Sequence, residues 1–82
     1  MNAIKYPLTT EKSIRLMEAE NKLAFMVDAK ATKADIKKAL EDSLGANVIK
    51  VNTLKTLTGK KAFVTFAEDT PAIDIATSLG LI

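Results

Sequence analysis

Lys22-Leu23-Ala24-Phe25-Met26-Val27-Asp28 reads as a β-strand with apolar side chains on both sides. Side chains alternate along a strand, so Leu23, Phe25 and Val27 share one face and Ala24 and Met26 the other. A strand of that kind belongs inside a sheet that is covered above and below. The expectation is a helix on each side of the sheet, and three layers in all.

The segments on either side supply those layers. Downstream, Thr32-Lys33-Ala34-Asp35 has the form of a capping box, in which a hydroxyl and an acid three residues on each accept from a free backbone N–H. Ile36, Ala39, Leu40, Ser43 and Leu44 then fall on one helical stripe, and Gly45 can turn left-handed at its end. Upstream, Asn2 to Pro7 suits a short edge strand, because Pro7 has no ladder donor. Thr9 or Thr10 offers a cap, Glu11 favours the first turn, and a helix is predicted from Thr10 to Glu20. Val48 to Lys55 and Lys61 to Ala67 are strand-like, and Gly59 lies between them where a turn needs positive φ, so they are expected to form a hairpin. A last helix opens with Thr70 as cap and Pro71 at its first position, carries Ala72, Ile75, Ala76 and Leu79 on one side, and ends at Gly80. The order is strand, helix, strand, helix, strand, strand, helix, around a predominantly antiparallel four-stranded sheet. The step through Thr32 to Leu44 is expected to be a right-handed crossover.

Composition narrows the chemistry. The chain has 82 residues and neither cysteine nor histidine. A single domain over residues 1–82 is expected, with a thin core and no room for a deep cleft. Zinc sites, disulfides, thiol nucleophiles and imidazole bases are excluded by residue type, so no metal, cofactor or catalytic residue is assigned. No apolar run approaches the roughly 20 residues of a membrane span, and the first residues do not resemble a signal peptide; a place inside the cell is expected. The formal charge of +2 is unevenly spread: from Ser43 to Ala67 there are four lysines and no acid, whereas Glu68, Asp69 and Asp74 face no base in the last segment.

Several motifs fail on inspection. A P-loop around Gly59-Lys60 would need Gly and Ser or Thr where Leu54 and Lys61 stand. Neighbouring carboxylates such as Glu18 and Glu20, or Glu68 and Asp69, have no partner base. Ala62-Phe63-Val64-Thr65-Phe66 matches half of an aromatic RNA-stacking motif, but Lys61 stands where the stacking ring belongs, and Phe63 and Phe66 read equally as core. What remains is the hairpin: Lys55, Lys60 and Lys61 flank a turn interleaved with Asn52, Thr53, Thr56 and Thr58, without a competing carboxylate. Such groups suit phosphate contacts, whose affinity comes from counterion release. The alternative is a hairpin kept in solution by lysines at its tip. Lys5 beside Tyr6, and Lys22 after Asn21, would extend the surface if the strands lie side by side.

Three strings go further. Ile4-Lys5-Tyr6-Pro7-Leu8-Thr9-Thr10-Glu11-Lys12, then Asn21-Lys22-Leu23-Ala24-Phe25-Met26-Val27, then Val51-Asn52-Thr53 followed by Gly59-Lys60-Lys61-Ala62-Phe63-Val64-Thr65-Phe66, resemble the L-twenty-three family of large-subunit ribosomal proteins. The ending Ile75-Ala76-Thr77-Ser78-Leu79-Gly80 looks like that of the archaeal members. The resemblance implies an α+β fold, a three-layer α/β/α sandwich of ferredoxin-like split β-α-β type. It implies a structural, non-catalytic component of the large subunit that binds large-subunit ribosomal RNA beside the nascent-peptide tunnel exit. The partners it implies are neighbouring ribosomal proteins, the signal recognition particle and the protein-conducting channel. It also implies a cytoplasmic, ribosome-bound location, no membrane insertion and a monomer when isolated. In bacterial members a chaperone contacts the acid of the Ser/Thr-Glu-Lys string, which is Glu11 here; a first-turn role for Glu11 stands beside that one. Two features depart from the family: the hairpin lacks the long bacterial extension, so no tunnel-lining role follows, and Phe66 stands where Leu is more usual.

The expected RNA-binding set is Lys5, Tyr6, Thr9, Lys12, Asn21, Lys22, Asn52, Thr53, Lys55, Lys60 and Lys61, with Lys60 and Lys61 at its centre. The rival reading is a small protein-interaction or regulatory module that does not bind RNA.

Overall fold

A computed structural model describes residues 3–8 and 10–79. The elements follow the expected order: β1 (Ile4–Pro7), α1 (Glu11–Glu20), β2 (Lys22–Val27), α2 (Lys33–Leu44), β3 (Val48–Thr56), β4 (Gly59–Phe66) and α3 (Ala72–Ser78). The sheet runs β1-β2-β4-β3, and every neighbouring pair is antiparallel. β2 and β3 are therefore parallel to one another with β4 between them, which is the split β-α-β unit.

β2 takes the interior place that its two apolar faces require, and residues Leu23 to Val27 are all buried. On one side Leu23, Phe25 and Val27 join Ala62, Val64 and Phe66 of β4, Ile36 and Leu40 of α2, and Ile75 of α3 in the main core. Each large side chain buried there is worth about 1.5–3 kcal/mol relative to exposure. On the other side α1 brings Ser13 and Leu16 against Ala24 and Phe63. Its Met17 belongs to the main core, so α1 serves both layers. Among the described residues no helix is long and apolar enough to cross a membrane.

The local signals behave as the residue types demand, with two exceptions. Thr32 and Asp35 form the expected capping box, and Gly45 closes α2 at φ 63°. Thr10, one of the two expected caps, caps α1, and its capping-box partner is Ser13: Ser13 N–H donates to Thr10 Oγ1 at 3.2 Å and Thr10 N–H to Ser13 Oγ at 2.8 Å. The hairpin turn is shorter than expected, because β3 continues to Thr56 and β4 starts at Gly59, leaving only Leu57 and Thr58 between them. Thr70 does not cap α3. Its hydroxyl instead accepts from Asn47 N–H at 3.2 Å, and Pro71 occupies the cap position without any side-chain cap of its own.

The free N–H at the start of α3 is satisfied from far away. Asn21, the left-handed C-cap of α1 at φ 55° and ψ 40°, accepts from Ala72 N–H through Oδ1 at 2.6 Å. Its Nδ2 donates to the carbonyls of Phe66, Ala67 and Thr70 at 3.1–3.2 Å. One amide thus joins the end of α1, the end of β4 and the start of α3. The expected starts and ends at Asn2 and Gly80 lie outside the described residues.

Candidate nucleic-acid interface

Strand alternation sorts the expected RNA set before any side chain is considered. Lys60 lies opposite Val27 and Lys55, whereas Lys61 lies opposite Met26 and Leu54. The two lysines therefore stand on opposite faces of the sheet, and cannot act as one pair. This follows from the period of two and was readable from the sequence.

Lys61 belongs to the face on which α1 lies. Cross-strand register places Lys22, Lys50, Asn52, Leu54 and Tyr6 on the same face. The helix covers only part of it. Tyr6 remains 53% exposed and Leu54 55%, Lys50 is exposed, and Asn52 and Lys61 are half-buried. A shallow cleft of about 120 Å³ runs between α1 and the sheet, floored by Ala24 and Phe63 and flanked by Lys12 and Lys61. Lys12 and Lys61, from elements far apart in sequence, thus frame one opening. Lys22 is partly neutralised, with its Nζ 3.3 Å from Glu20 Oε1. Lys50 lies in the acid-free run but outside the expected RNA set; the alternation that groups it with Asn52 is the signal for it.

The remaining members of the set are elsewhere. Lys60 reaches back over the main-core face, where its Nζ donates to Ala31 O at 2.9 Å and ties the hairpin to the β2–α2 loop. Lys55 lies directly across from it, and Thr53 is on that face too. Like charges opposed on a ladder repel, so the Lys55–Lys60 pair is a site of stored positive potential beside the turn of the hairpin. Asn21 is a correction: both amide hydrogens are spent on backbone carbonyls, which leaves it no donor for RNA. Lys5 is exposed beside the irregularity between Ile4 and Tyr6. Thr9 lies outside the described residues.

Glu11 stands in the first turn of α1 with its side chain 82% exposed, paired to Arg15 at 2.9 Å. The cap hydrogen bonds are made by Thr10 and Ser13, so Glu11 takes no part in them. An exposed pair of this spacing is worth about 0.3–0.5 kcal/mol, and the carboxylate keeps a free oxygen towards solvent.

No cluster of groups suited to catalysis or metal binding occurs among the described residues. A groove of about 290 Å³ between β1 and α2 is lined mainly by apolar side chains such as Ile4, Phe25, Leu40 and Leu79, with Lys5 and Tyr6 at its β1 side. A small α+β module with an uncovered, cationic, hydrogen-bonding sheet face has the chemistry of a surface binder. The comparisons agree with that class. A family model described as "Ribosomal protein L23" matches residues 2–74, and the chain belongs to that family. The family is structural and non-enzymatic.

The chain is 44% identical over 82 residues to a Tetrahymena thermophila protein named "Large ribosomal subunit protein uL23", covering 99% of this chain but only 55% of that one. Two strains of Methanococcus maripaludis have proteins of the same name, 42% and 43% identical over 81 residues, with 94% of each covered. The chain therefore spans about half the length of its ciliate relative and nearly all of the archaeal ones.

Proposed function

We propose that this protein is a structural constituent of the large ribosomal subunit that binds large-subunit ribosomal RNA near the nascent-peptide tunnel exit. The family match over residues 2–74 carries the reading. The RNA backbone lies across the part of the sheet face that α1 leaves bare. Lys12 and Lys61 neutralise phosphates there, Lys5, Lys22 and Lys50 border the contact, and Tyr6 and Asn52 fix its register. Lys55 and Lys60 form a second cationic point beside the turn of the hairpin, with Thr53 on the same face. The exposed first turn of α1, with Glu11, is the docking point for factors that meet the emerging chain, such as the signal recognition particle and the protein-conducting channel. Neighbouring ribosomal proteins complete its surroundings, and its place is the cytoplasmic ribosome.

Co-sedimentation with large subunits, together with filter binding to large-subunit RNA fragments across a salt series, tests the reading. The double variant Lys12→Glu/Lys61→Glu is expected to remain folded and to lower the slope of log K against log salt by about one per lysine. An unchanged slope removes the sheet face from the interface. Failure of the unmodified chain both to bind and to co-sediment returns the reading to a protein-interaction module. Glu11→Arg is expected to weaken factor recruitment to subunits without changing RNA affinity.

A further inference from the structure

The two edges of the sheet are built differently. β1 has only four residues, an irregularity between Ile4 and Tyr6, and Pro7 at its end, all of which hinder pairing with another strand. β3, the other edge, has nine residues and no proline, and its one irregularity is at its start, between Val48 and Lys50.

The direction of the β3 backbone follows from the hairpin. Thr56 and Gly59 close a two-residue turn and share ladder hydrogen bonds, so the alternation of an antiparallel pair turns Leu54, Asn52 and Lys50 towards β4. Ala67 N–H donating to Asn47 O keeps the same phase beyond the far end of the ladder. The N–H and C=O groups of Val51, Thr53 and Lys55 therefore point away from the sheet. Apolar side chains stand at both ends of this row, with Ile49 66% exposed and Leu57 fully exposed.

We propose that the outer edge of β3 receives an extended, acidic polypeptide segment as a fifth strand. Unpaired amides and carbonyls at strand spacing recognise a peptide backbone, and Ile49 and Leu57 offer apolar contacts at the two ends. Charge selects the occupant. Lys50 and Lys55 flank the row, and no acid occurs between Ser43 and Ala67. The lysines repel a second copy of the same edge and, standing five residues apart on opposite faces, attract a segment with two carboxylates at the same spacing, one towards each face. Nucleic acid has phosphates for the lysines but nothing that matches a row of alternating donors and acceptors beside two exposed aliphatic side chains.

The test is an amide-resolved NMR titration of the full chain with the peptide acetyl-Val-Glu-Val-Thr-Val-Thr-Glu-Val-amide, whose carboxylates are five residues apart, and its lysine-for-glutamate counterpart. The acidic peptide is expected to shift the amides of Val51, Thr53 and Lys55 and to give cross-strand contacts to them, with the basic peptide at least tenfold weaker. Thr53→Pro removes an outward N–H and spares the ladder to β4, so it is expected to reduce peptide binding at least tenfold. Should that variant not fold, Lys50→Glu/Lys55→Glu serves instead, and the peptide preference is expected to reverse. The proposal is overturned if millimolar acidic peptide leaves those amides unmoved or if both peptides bind equally. It is also overturned if those amides shift with protein concentration alone. Lys50, Thr53 and Lys55 also stand in the proposed RNA contact, and Lys12→Glu/Lys61→Glu separates the two readings: it is expected to lower the salt slope for RNA and to leave the peptide shifts unchanged, and a loss of peptide binding in that variant overturns the proposal.

Discussion

Replacing Asn21 by Ala removes one side chain and disturbs three elements. Oδ1 holds Ala72 N–H at 2.6 Å, and Nδ2 reaches three carbonyls with only two hydrogens, so about three full hydrogen bonds are lost. At about 0.5–1.5 kcal/mol each, these contribute roughly 1.5–4.5 kcal/mol. Asn21 also sits at φ 55°, where a Cβ without a local polar partner costs about 1–2 kcal/mol more. The expected loss is therefore about 2.5–6.5 kcal/mol, against a total of roughly 4–12 kcal/mol for a chain of this length. Urea unfolding at constant m-value measures it, and native-state hydrogen exchange should locate the largest change at Ala72 and the first turn of α3. Asn21→Gly relieves the backbone cost but not the hydrogen bonds, and should fall between Ala and the parent chain. Asn21→Asp keeps the acceptor for Ala72 and places a carboxylate among three carbonyls, so it should not rescue. A loss below about 1 kcal/mol for Asn21→Ala, or a full rescue by Asp, would refute the capping role.

Three further outcomes follow from the same structure. Lys60→Met should cost about 1–2 kcal/mol by removing the charge-assisted bond to Ala31 O, while changing the salt slope for RNA less than Lys61→Met does; equal slopes would show that the face assignment is wrong. Gly59→Ala should destabilise by about 1–3 kcal/mol, because φ is 144° and the new Cβ would meet Met26 Cε at 3.1 Å; thermal unfolding decides, and a neutral result contradicts it. Asp35 accepts from the Thr32 backbone N–H, which with the Thr32 hydroxyl holds its carboxyl below the usual range. A depressed folded value stabilises the chain at pH above the unfolded value, and that part is lost as pH falls through the folded one. Asp35→Asn should therefore flatten the acid limb of stability against pH, which melts between pH 2 and pH 6 would reveal.

Features governed by neighbours in sequence were legible. Thr32 and Asp35 are three residues apart, Gly45 follows the last apolar residue of its stripe, and β2 announces its interior place through residues that alternate. Features governed by distant pairing were not. Thr70 is a good cap by type, but Asn47 takes its hydroxyl, and the residue that caps α3 lies 51 positions earlier. Asn21 looks like a polar loop residue until β4 and α3 surround it. The candidate interface was half legible. The acid-free lysine run falls on β3 and β4, and the pleat puts its neighbours Lys60 and Lys61 on opposite faces. Lys12 and Lys61 frame the cleft only because α1 folds back over the sheet, and no spacing in the sequence carries that information.

The place of β4 bears on how the chain is made. It is the last strand to be synthesised, yet it occupies the middle of the sheet between β2 and β3. At about 5–20 residues per second, the growing chain spends on the order of one second between completing β3 and completing β4. During that interval Leu23, Phe25 and Val27 have β1 on one side only, and the inner edges of β2 and β3 are both unpaired. Any chain halted before Gly59 is left in that state, with a half-built sheet and its main core open. The intact fold hides this interval, since the strand that closes the sheet arrives after both of its neighbours.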